Sequence, residues 1–180
     1  MDWPMRVFIA VNLPEKTKNR ICSELMPLLP KKGLKAVERE NLHITMKFLG
    51  NLGENAAKET IEKLEFAKQT KKFEIELKGI GHFHKRVLWL GVGKGAKELE
   101  ELGAGIDEAL GLGGEKFHPH ITLARNKEMH AVGLEKALVD LEMKGFAETI
   151  EAGSLDVMQS VLGPKGPKYS VLKKIEFCQA

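Results

Sequence analysis

One four-residue pattern, His-x-Thr-x, occurs twice in this 180-residue chain and constrains its fold more than any other feature. The copies are residues 43–46 (His-Ile-Thr-Met) and 120–123 (His-Ile-Thr-Leu). Polar and apolar residues alternate in both, which is typical of a strand with one buried face. Because side chains alternate between the two faces of a strand, His43 and Thr45 share one face. We therefore predict two strands that each turn a histidine and a threonine away from the core.

The two copies lie in matching surroundings. A run rich in β-formers precedes each copy, and 36 residues separate Val7 from His43 while 33 separate Val87 from His120. Between run and motif lies a segment with apolar residues at helical spacing, and a helix and a strand follow each motif. We predict an internal duplication within one domain spanning residues 1–180, with halves at about 6–82 and 86–177.

Composition limits the class of protein. Hydrophobic residues make up 43% and charged residues 29% of the chain, which is ordinary for a soluble globular domain. Apolar runs are only a few residues long, which excludes a membrane-spanning helix and predicts no membrane partner. The first residues lack the long apolar stretch of a signal peptide, so we expect a cytoplasmic protein. Cys22 and Cys178 are too far apart in sequence for a disulfide framework or a metal knuckle.

The duplicated residue types suit acid-base chemistry on an anionic substrate. An imidazole accepts or donates a proton near neutral pH, and a threonine hydroxyl can donate a hydrogen bond to an anionic oxygen. Two such strands facing each other would surround one phosphorus atom with an acid, a base and two donors. The residues therefore point to His43, Thr45, His120 and Thr122 as catalytic, without a metal. They do not show which histidine is the acid.

The motifs resemble those of the two-histidine (2H) phosphoesterase superfamily, and within it the RNA 2′,3′-cyclic phosphodiesterases, also called 2′-5′ RNA ligases. Further segments that carry the resemblance are residues 6–10, 40–50, 119–125 and 160–169. The similarity covers about residues 6–177. It implies an α+β fold with two pseudo-symmetric lobes, in which antiparallel sheets line a V-shaped central cleft and helices lie outside.

The resemblance also implies the reaction and the roles of the histidines. The reaction is metal-independent hydrolysis of RNA 2′,3′-cyclic phosphate ends to 2′-phosphomonoesters, and its reversal would join RNA halves through a 2′,5′ linkage. By this resemblance, His43 is the proton donor to the departing 3′ oxygen and His120 is the proton acceptor that activates water. No cofactor is implied. The partners implied are RNA ends, tRNA fragments among them, or nucleotide 2′,3′-cyclic phosphates.

Three further residues are candidates for substrate binding. Arg125 follows the second motif, where the family carries an arginine that contacts phosphate. Strict alternation would place it opposite His120, so we expect it to act from the end of the strand. Phe48 could stack a base, but alternation from His43 favours packing in the core. Tyr169 lies in a predicted hairpin at the cleft rim, where packing and ligand contact are equally compatible with its position.

Other functions stay open at this stage. A related enzyme could act on a different cyclic or 2′,5′ nucleotide, and a non-catalytic module could bind RNA ends. The pairs His82/His84 and His118/His120 could bind a metal in a hydrolase, although no cysteine cluster accompanies them. A net charge of +3 permits an anionic partner without requiring one. We expect a monomer, because one chain already holds both motifs.

Overall fold

A computed structural model describes residues 4–114, 116–164 and 166–179 of the chain. Within these ranges the strands are β1 (Met5–Asn12), β2 (Leu34–Ala36), β3 (His43–Leu52), β4 (Phe73–Phe83), β5 (Val87–Val92), β6 (His120–Asn126), β7 (Ala147–Ala152), β8 (Ser154–Gly163) and β9 (Gly166–Glu176). The α-helices are α1 (Glu15–Glu24), α2 (Glu54–Lys63), α3 (Ala96–Leu110) and α4 (Ala131–Met143). Short 3-10 helices cover Met26–Leu28, Arg39–Asn41 and Leu64–Gln69. Residues 1–3, Lys165 and Ala180, which fall within the predicted domain, lie outside the described residues, as does Glu115.

Local sequence signals account for several element boundaries. Helix α3 ends where a glycine run begins, and Gly111 takes a left-handed φ of 65° while its N–H bonds to the carbonyls of Asp107 and Glu108. The helix that follows the first motif begins at Glu54, is α-helical as far as Lys63 and then tightens into a 3-10 segment. No sequence pattern predicts strand β7.

The predicted α+β fold with antiparallel sheet is confirmed. Every pairing between named strands is antiparallel, and the strand order is β7-β4-β5-β6-β3-β1-β8-β9, with β2 added beside β6. Among the named strands of the described ranges, the pairing of β3 with β6, through Ile44 and Ile121, joins the two halves of this sheet. The strands that carry the two motifs therefore lie at the centre of the sheet, one in each half.

The halves of the sheet do not follow the halves of the sequence. Strand β4 belongs to the first predicted half, yet it pairs with β5 and β7 of the second. Strand β8 belongs to the second half, yet it pairs with β1. In each half of the sheet, the third strand counted from the motif strand thus comes from the other half of the sequence. The predicted boundary near residues 82–86 does not separate two spatial units.

The core lies between the sheet and the helices. Leu25, Ile106 and Leu141, from the end of α1, from α3 and from α4, are fully buried in one cluster with the apolar face of the motif strands. Strand β1 is buried on both faces, because Val7, Ile9 and Val11 join that cluster while Phe8 and Ala10 form a second one with Met158. This arrangement explains why β1 reads as a continuous apolar run.

None of the helices in the described ranges is both long and apolar enough to cross a membrane.

Candidate active site

The four motif side chains come together where the two halves of the sheet meet. Ile44 pairs with Ile121 in antiparallel register, which brings His43 toward Thr122 and Thr45 toward His120. Ile44 and Ile121 are fully buried, so their neighbours on either side point to the opposite face. All four polar side chains line the same cleft.

The two histidines are held in the same way. His43 Nδ1 lies 2.7 Å from the carbonyl oxygen of Asn41, and His120 Nδ1 lies 2.7 Å from that of His118. A carbonyl only accepts hydrogen bonds, so each Nδ1 must carry a proton. In the neutral imidazole, Nε2 is then the unprotonated nitrogen. Each histidine thus has Nε2 as its proton-accepting nitrogen.

The hydroxyl of Thr45 occupies one of these nitrogens. Its Oγ1 lies 2.9 Å from His43 Nε2. Because the neutral Nε2 is an acceptor, the hydroxyl is the donor in this bond. A substrate oxygen could replace the nitrogen as the acceptor of the same hydroxyl proton. Thr122 lines the cleft beside His120 in the second motif.

Burial keeps both imidazoles neutral in the free protein. It lowers the pKa of His43 to about 4, although the bond to the Asn41 carbonyl acts in the opposite direction. Burial also lowers the pKa of His120, again opposed by the bond to the His118 carbonyl. An anion bound between the rings would favour their charged forms and raise both pKa values. Protonation of either histidine at neutral pH therefore depends on what the cleft contains.

A β-bulge follows the first motif and changes which residue faces the cleft. Thr45 and Lys47 pair with consecutive residues of β1, so Met46 is an extra residue on β3. Such an insertion shifts the alternation of side chains by one position. Phe48 consequently lines the cleft, with 64% of its surface exposed. The prediction that Phe48 packs in the core is wrong, since it assumed unbroken alternation.

A second bulge follows the second motif at the matching position. Thr122 and Ala124 pair with consecutive residues of β5, so Leu123 is the extra residue on β6. Leu123 and Ala124 are both buried, and Arg125 turns to the cleft within the strand. Arg125 therefore needs no turn at the end of the strand to reach the cleft. The two bulges make Phe48 and Arg125 counterparts, each three residues after its threonine.

Tyr169 on β9 both packs and lines the cleft. Its ring centroid lies 4.8 Å from that of Phe8 and 5.5 Å from that of His43. Burial raises the pKa of its phenol. The side chain therefore forms one wall of the cleft next to the first histidine, although 126 residues separate the two in sequence.

Two residues that support the histidines, Asn41 and Phe83, were not among the candidates named from the sequence. Asn41 is buried, accepts the His43 Nδ1 proton through its carbonyl, and donates from its side chain to the carbonyl of Pro167, 2.9 Å away. Phe83 packs edge-on against His120 with ring centroids 4.8 Å apart. Asn41 lies in segment 40–50, which carries the family resemblance, so the sequence offers a weak indication of its role. The sequence offers none for Phe83, because its role depends on the pairing between strands.

The cleft is large and unevenly charged. Its volume is about 1170 Å³, which exceeds the space of a single phosphate group. Lys35, Arg125 and Lys127 line the end toward β2, whereas Lys47 at the other end is paired with Asp107 at 2.7 Å. Its size and its basic end suit an extended anion.

Three other histidines were named as candidates from the sequence. His82 and His84 do not line the cleft, and His118 supports His120. His82 and His84 are exposed at the end of β4 and in the turn after it. The His118 ring packs against that of Trp89 at a tilted angle, with ring centroids 5.1 Å apart, and the His118 carbonyl accepts a hydrogen bond from His120 Nδ1. Across the three described ranges, no group of three or more His, Cys, Asp or Glu side chains is placed to hold a metal ion.

Comparisons with known proteins show what this chain is similar to. The sequence profile of the 2′-5′ RNA ligase superfamily matches residues 14–163. The RNA 2′,3′-cyclic phosphodiesterase of Methanocaldococcus jannaschii is 37% identical over 183 residues, covering 94% of this chain and 99% of that protein. The protein of the same name from Aeropyrum pernix is 37% identical over 156 residues, covering 79% and 86%. A solved structure of Escherichia coli LigT with 3′-AMP has a TM-score of 0.80 at 23% identity, covering 98% of this chain and 100% of that one.

Proposed function

The chain belongs to the 2′-5′ RNA ligase superfamily, and from this premise we propose that it hydrolyses RNA 2′,3′-cyclic phosphate ends to 2′-phosphomonoesters. One observation carries the proposal: two histidines, each with a proton-bearing Nδ1 and a proton-accepting Nε2, line one cleft. The names of its relatives support the same substrate class. Reversal of the reaction would join RNA ends through a 2′,5′ linkage.

In the proposed reaction, each histidine moves one proton. The oxygen of a water molecule attacks phosphorus while His120 Nε2 takes one of its protons. The bond from phosphorus to the 3′ oxygen breaks, and that oxygen receives a proton from His43 Nε2. The assignment of the two roles follows the family resemblance. The product keeps its phosphate on the 2′ oxygen, and atoms and charge balance without a metal.

His43 must be protonated to act as an acid, and the negative charge of the bound phosphate would raise its pKa. Its pKa of about 4 in the free protein makes it neutral at neutral pH. An anion close to the ring favours the imidazolium, so substrate binding and protonation of His43 would occur together. The Thr45 hydroxyl then loses its acceptor on Nε2 and can donate to a non-bridging oxygen, as Thr122 does on the other side.

Three cleft residues complete the proposed site. Arg125 contributes a fixed positive charge on the cleft face of β6, where it would contact the phosphate. Phe48 presents an exposed ring that can stack on a base, a contact worth about 1–3 kcal/mol. Tyr169 forms the wall beside His43 and contributes its ring to the ribose or base.

Both histidine strands come from one chain, so we propose that the protein acts as a monomer on RNA ends, tRNA fragments included. A cytoplasmic location stays a prediction from the sequence. The oligomeric state can be measured by sedimentation in the presence of substrate.

The test is turnover of a short RNA that ends in a 2′,3′-cyclic phosphate, with EDTA present and the product identified by its phosphate position. We expect a 2′-phosphate. A 3′-phosphate or no product would contradict the proposal, as would full activity in His43→Ala and His120→Ala. Turnover restricted to another cyclic or 2′,5′ nucleotide would instead support a related phosphodiesterase. Binding without turnover would support a module that only recognises RNA ends.

A further inference from the structure

The cleft has a basic end that one reacting phosphate does not account for. Strands β3 and β6 diverge from the Ile44–Ile121 pair, so Phe48 and Arg125 mark opposite ends of the cleft. Beyond Arg125, Lys35 and Lys127 also line the cleft, together with the carboxylate of Glu38, which follows β2. These lysines have no role in the reaction proposed above.

Strand β2 places Lys35 beside Arg125. The two are cross-strand partners in the short ladder between β2 and β6, so their Cα atoms are about 5 Å apart. Lys35 Nζ lies against Gly166 at the start of β9, 3.6 Å from where a Cβ on that glycine would stand. This lysine therefore lies between the β2 strand and the hairpin that carries Tyr169.

Lys127 stands on a turn whose backbone is held in place. The N–H of Lys127 donates to the carbonyl of Gly33 at 2.8 Å. The side chain of Asn126 accepts from the N–H of Met129 at 2.8 Å and donates to the carbonyl of Lys85 at 2.9 Å. A Cβ on Gly33 would stand 2.9 Å from Met129, so only glycine permits this close approach. The turn is thus preorganised rather than loose.

The opposite end of the cleft has little net charge. Lys47 is paired with Asp107 at 2.7 Å, and Lys116 and Glu100 add one charge of each sign to the cleft lining. Phe48, Gly103 and Phe117 make the same region largely apolar, which suits a base or a ribose better than a phosphate. Only the Arg125 end therefore fits a run of phosphates.

We propose that Lys35 and Lys127 form a subsite for the phosphodiester on the 5′ side of the terminal nucleotide, and that the protein is therefore built for RNA chains rather than cyclic mononucleotides. This inference rests on the proposed function, because that function places the cyclic phosphate between His43 and His120. Contacts to phosphates read charge and spacing but no base identity, so the subsite accepts any sequence.

The experiment compares two substrates, a short RNA that ends in a 2′,3′-cyclic phosphate and the corresponding 2′,3′-cyclic mononucleotide. The variants are Lys127→Ala and the double variant Lys35→Ala/Lys127→Ala. Lys97→Ala is the matched control, because Lys97 is an exposed lysine on α3 outside the cleft wall. Melting temperatures establish that each variant is folded. We measure kcat/KM for both substrates at several salt concentrations.

We expect the double variant to lower kcat/KM for the RNA about tenfold more than for the mononucleotide, whatever the RNA sequence. The slope of log kcat/KM against log salt should fall by about 0.7 for each lysine removed. Lys97→Ala should change neither quantity. Equal losses on the two substrates would overturn the subsite, because they would place the lysines on the reacting phosphate. No loss on either substrate would also overturn it.

A second measurement separates this inference from the proposed function. RNA binding by a His43→Ala/His120→Ala protein, followed by fluorescence anisotropy, does not require turnover. If the wild type turns over neither substrate, the proposed function fails. Weaker RNA binding after removal of the two lysines would then still support the subsite. Unchanged RNA binding would overturn it even where the wild type is active.

Discussion

The strands that carry His43 and His120 have the same local backbone geometry but different neighbouring strands in the sheet. In both, Nδ1 bonds to a carbonyl two residues earlier, and a bulge follows the threonine. Across the sheet from Thr45 stand Ala10 on β1 and then Asp156 on β8. Across the sheet from Thr122 stand Trp89 on β5 and then Gly81 on β4.

These two rows differ in polarity. Asp156 is a buried carboxylate that accepts from the Asn12 side chain at 2.6 Å and from the Ser154 hydroxyl at 3.0 Å. In the other row the indole of Trp89 lies over the backbone of Gly81, where a Cβ would stand 2.2 Å from the ring. The row across from the first motif is thus joined by hydrogen bonds, whereas the row across from the second motif packs through the Trp89 ring. His43 itself packs against the rings of Phe8 and Tyr169.

The motif provides the reacting groups, and the residues around it make the environments of the two histidines different. Two identical motifs in identical surroundings would give two histidines with interchangeable roles. Any division of labour between an acid and a base must come from residues outside the motifs. Those residues lie on β4, β5 and β8, far from the motifs in sequence.

The largest effect should come from the histidines themselves. We expect His43→Ala and His120→Ala each to lower kcat by about 10²–10⁴-fold, the usual contribution of a general acid or base. A cyclic phosphate with sulfur in place of the 3′ oxygen tests the comparison, because its thiolate leaves without a proton. His43→Ala should recover most of its loss with this substrate, whereas His120→Ala should not. Recovery by His120→Ala alone would reverse the assigned roles.

A smaller effect should follow from Gly81→Ala. The new methyl group would displace the Trp89 ring and, with it, the aromatic support of His120. Overpacking of this kind lowers the free energy of unfolding by about 1–3 kcal/mol, which chemical denaturation can measure. Gly153→Ala is the control, because its nearest neighbour would be the flexible Lys72 side chain at 3.9 Å. If Trp89→Phe restores stability to Gly81→Ala, the clash is its cause; additive losses would contradict this.

The polar row is tested by Asp156→Ala. The substitution leaves the Asn12 amide with only the weak acceptor Met158 Sδ, 3.5 Å away, in a partly buried place. We expect the free energy of unfolding to fall by about 1–3 kcal/mol, the cost of leaving a buried polar group unpaired. Ser154→Ala removes only one donor of the network and should cost less. Equal stability of wild type and Asp156→Ala would show that the network does not stabilise this half of the sheet.

The smallest effect is a displacement of pH profiles. The pKa values of both histidines are lowered in the free protein, so the form with a protonated acid becomes scarcer as pH rises. The pH profile of kcat/KM reports the pKa values of the free protein. As pH rises, kcat/KM should therefore decline at a lower pH than kcat does. Because the bound anion raises the pKa of His43, the alkaline limb of kcat should lie at higher pH. Coinciding limbs would mean that substrate does not protonate the acid.

Much of the site could be predicted from the sequence because it is encoded locally. Alternation within residues 43–46 and 120–123 was enough to place His43 and Thr45 on one face. The environments of Phe48 and Arg125 could not be derived in this way. A bulge appears only in the pairing between strands, and Met46 and Leu123 look like ordinary alternating residues in the sequence.

The two His-x-Thr-x motifs, their apolar faces and most of the helices and strands could be predicted from the sequence, because each depends on neighbours a few residues away. The tertiary structure sets the exchange of β4 and β8 between the halves, the contact of Tyr169 with His43 and the basic end of the cleft. These depend on strand register, which is set by packing among segments far apart in the chain. A local pattern records which face is buried, but not which distant strand covers it.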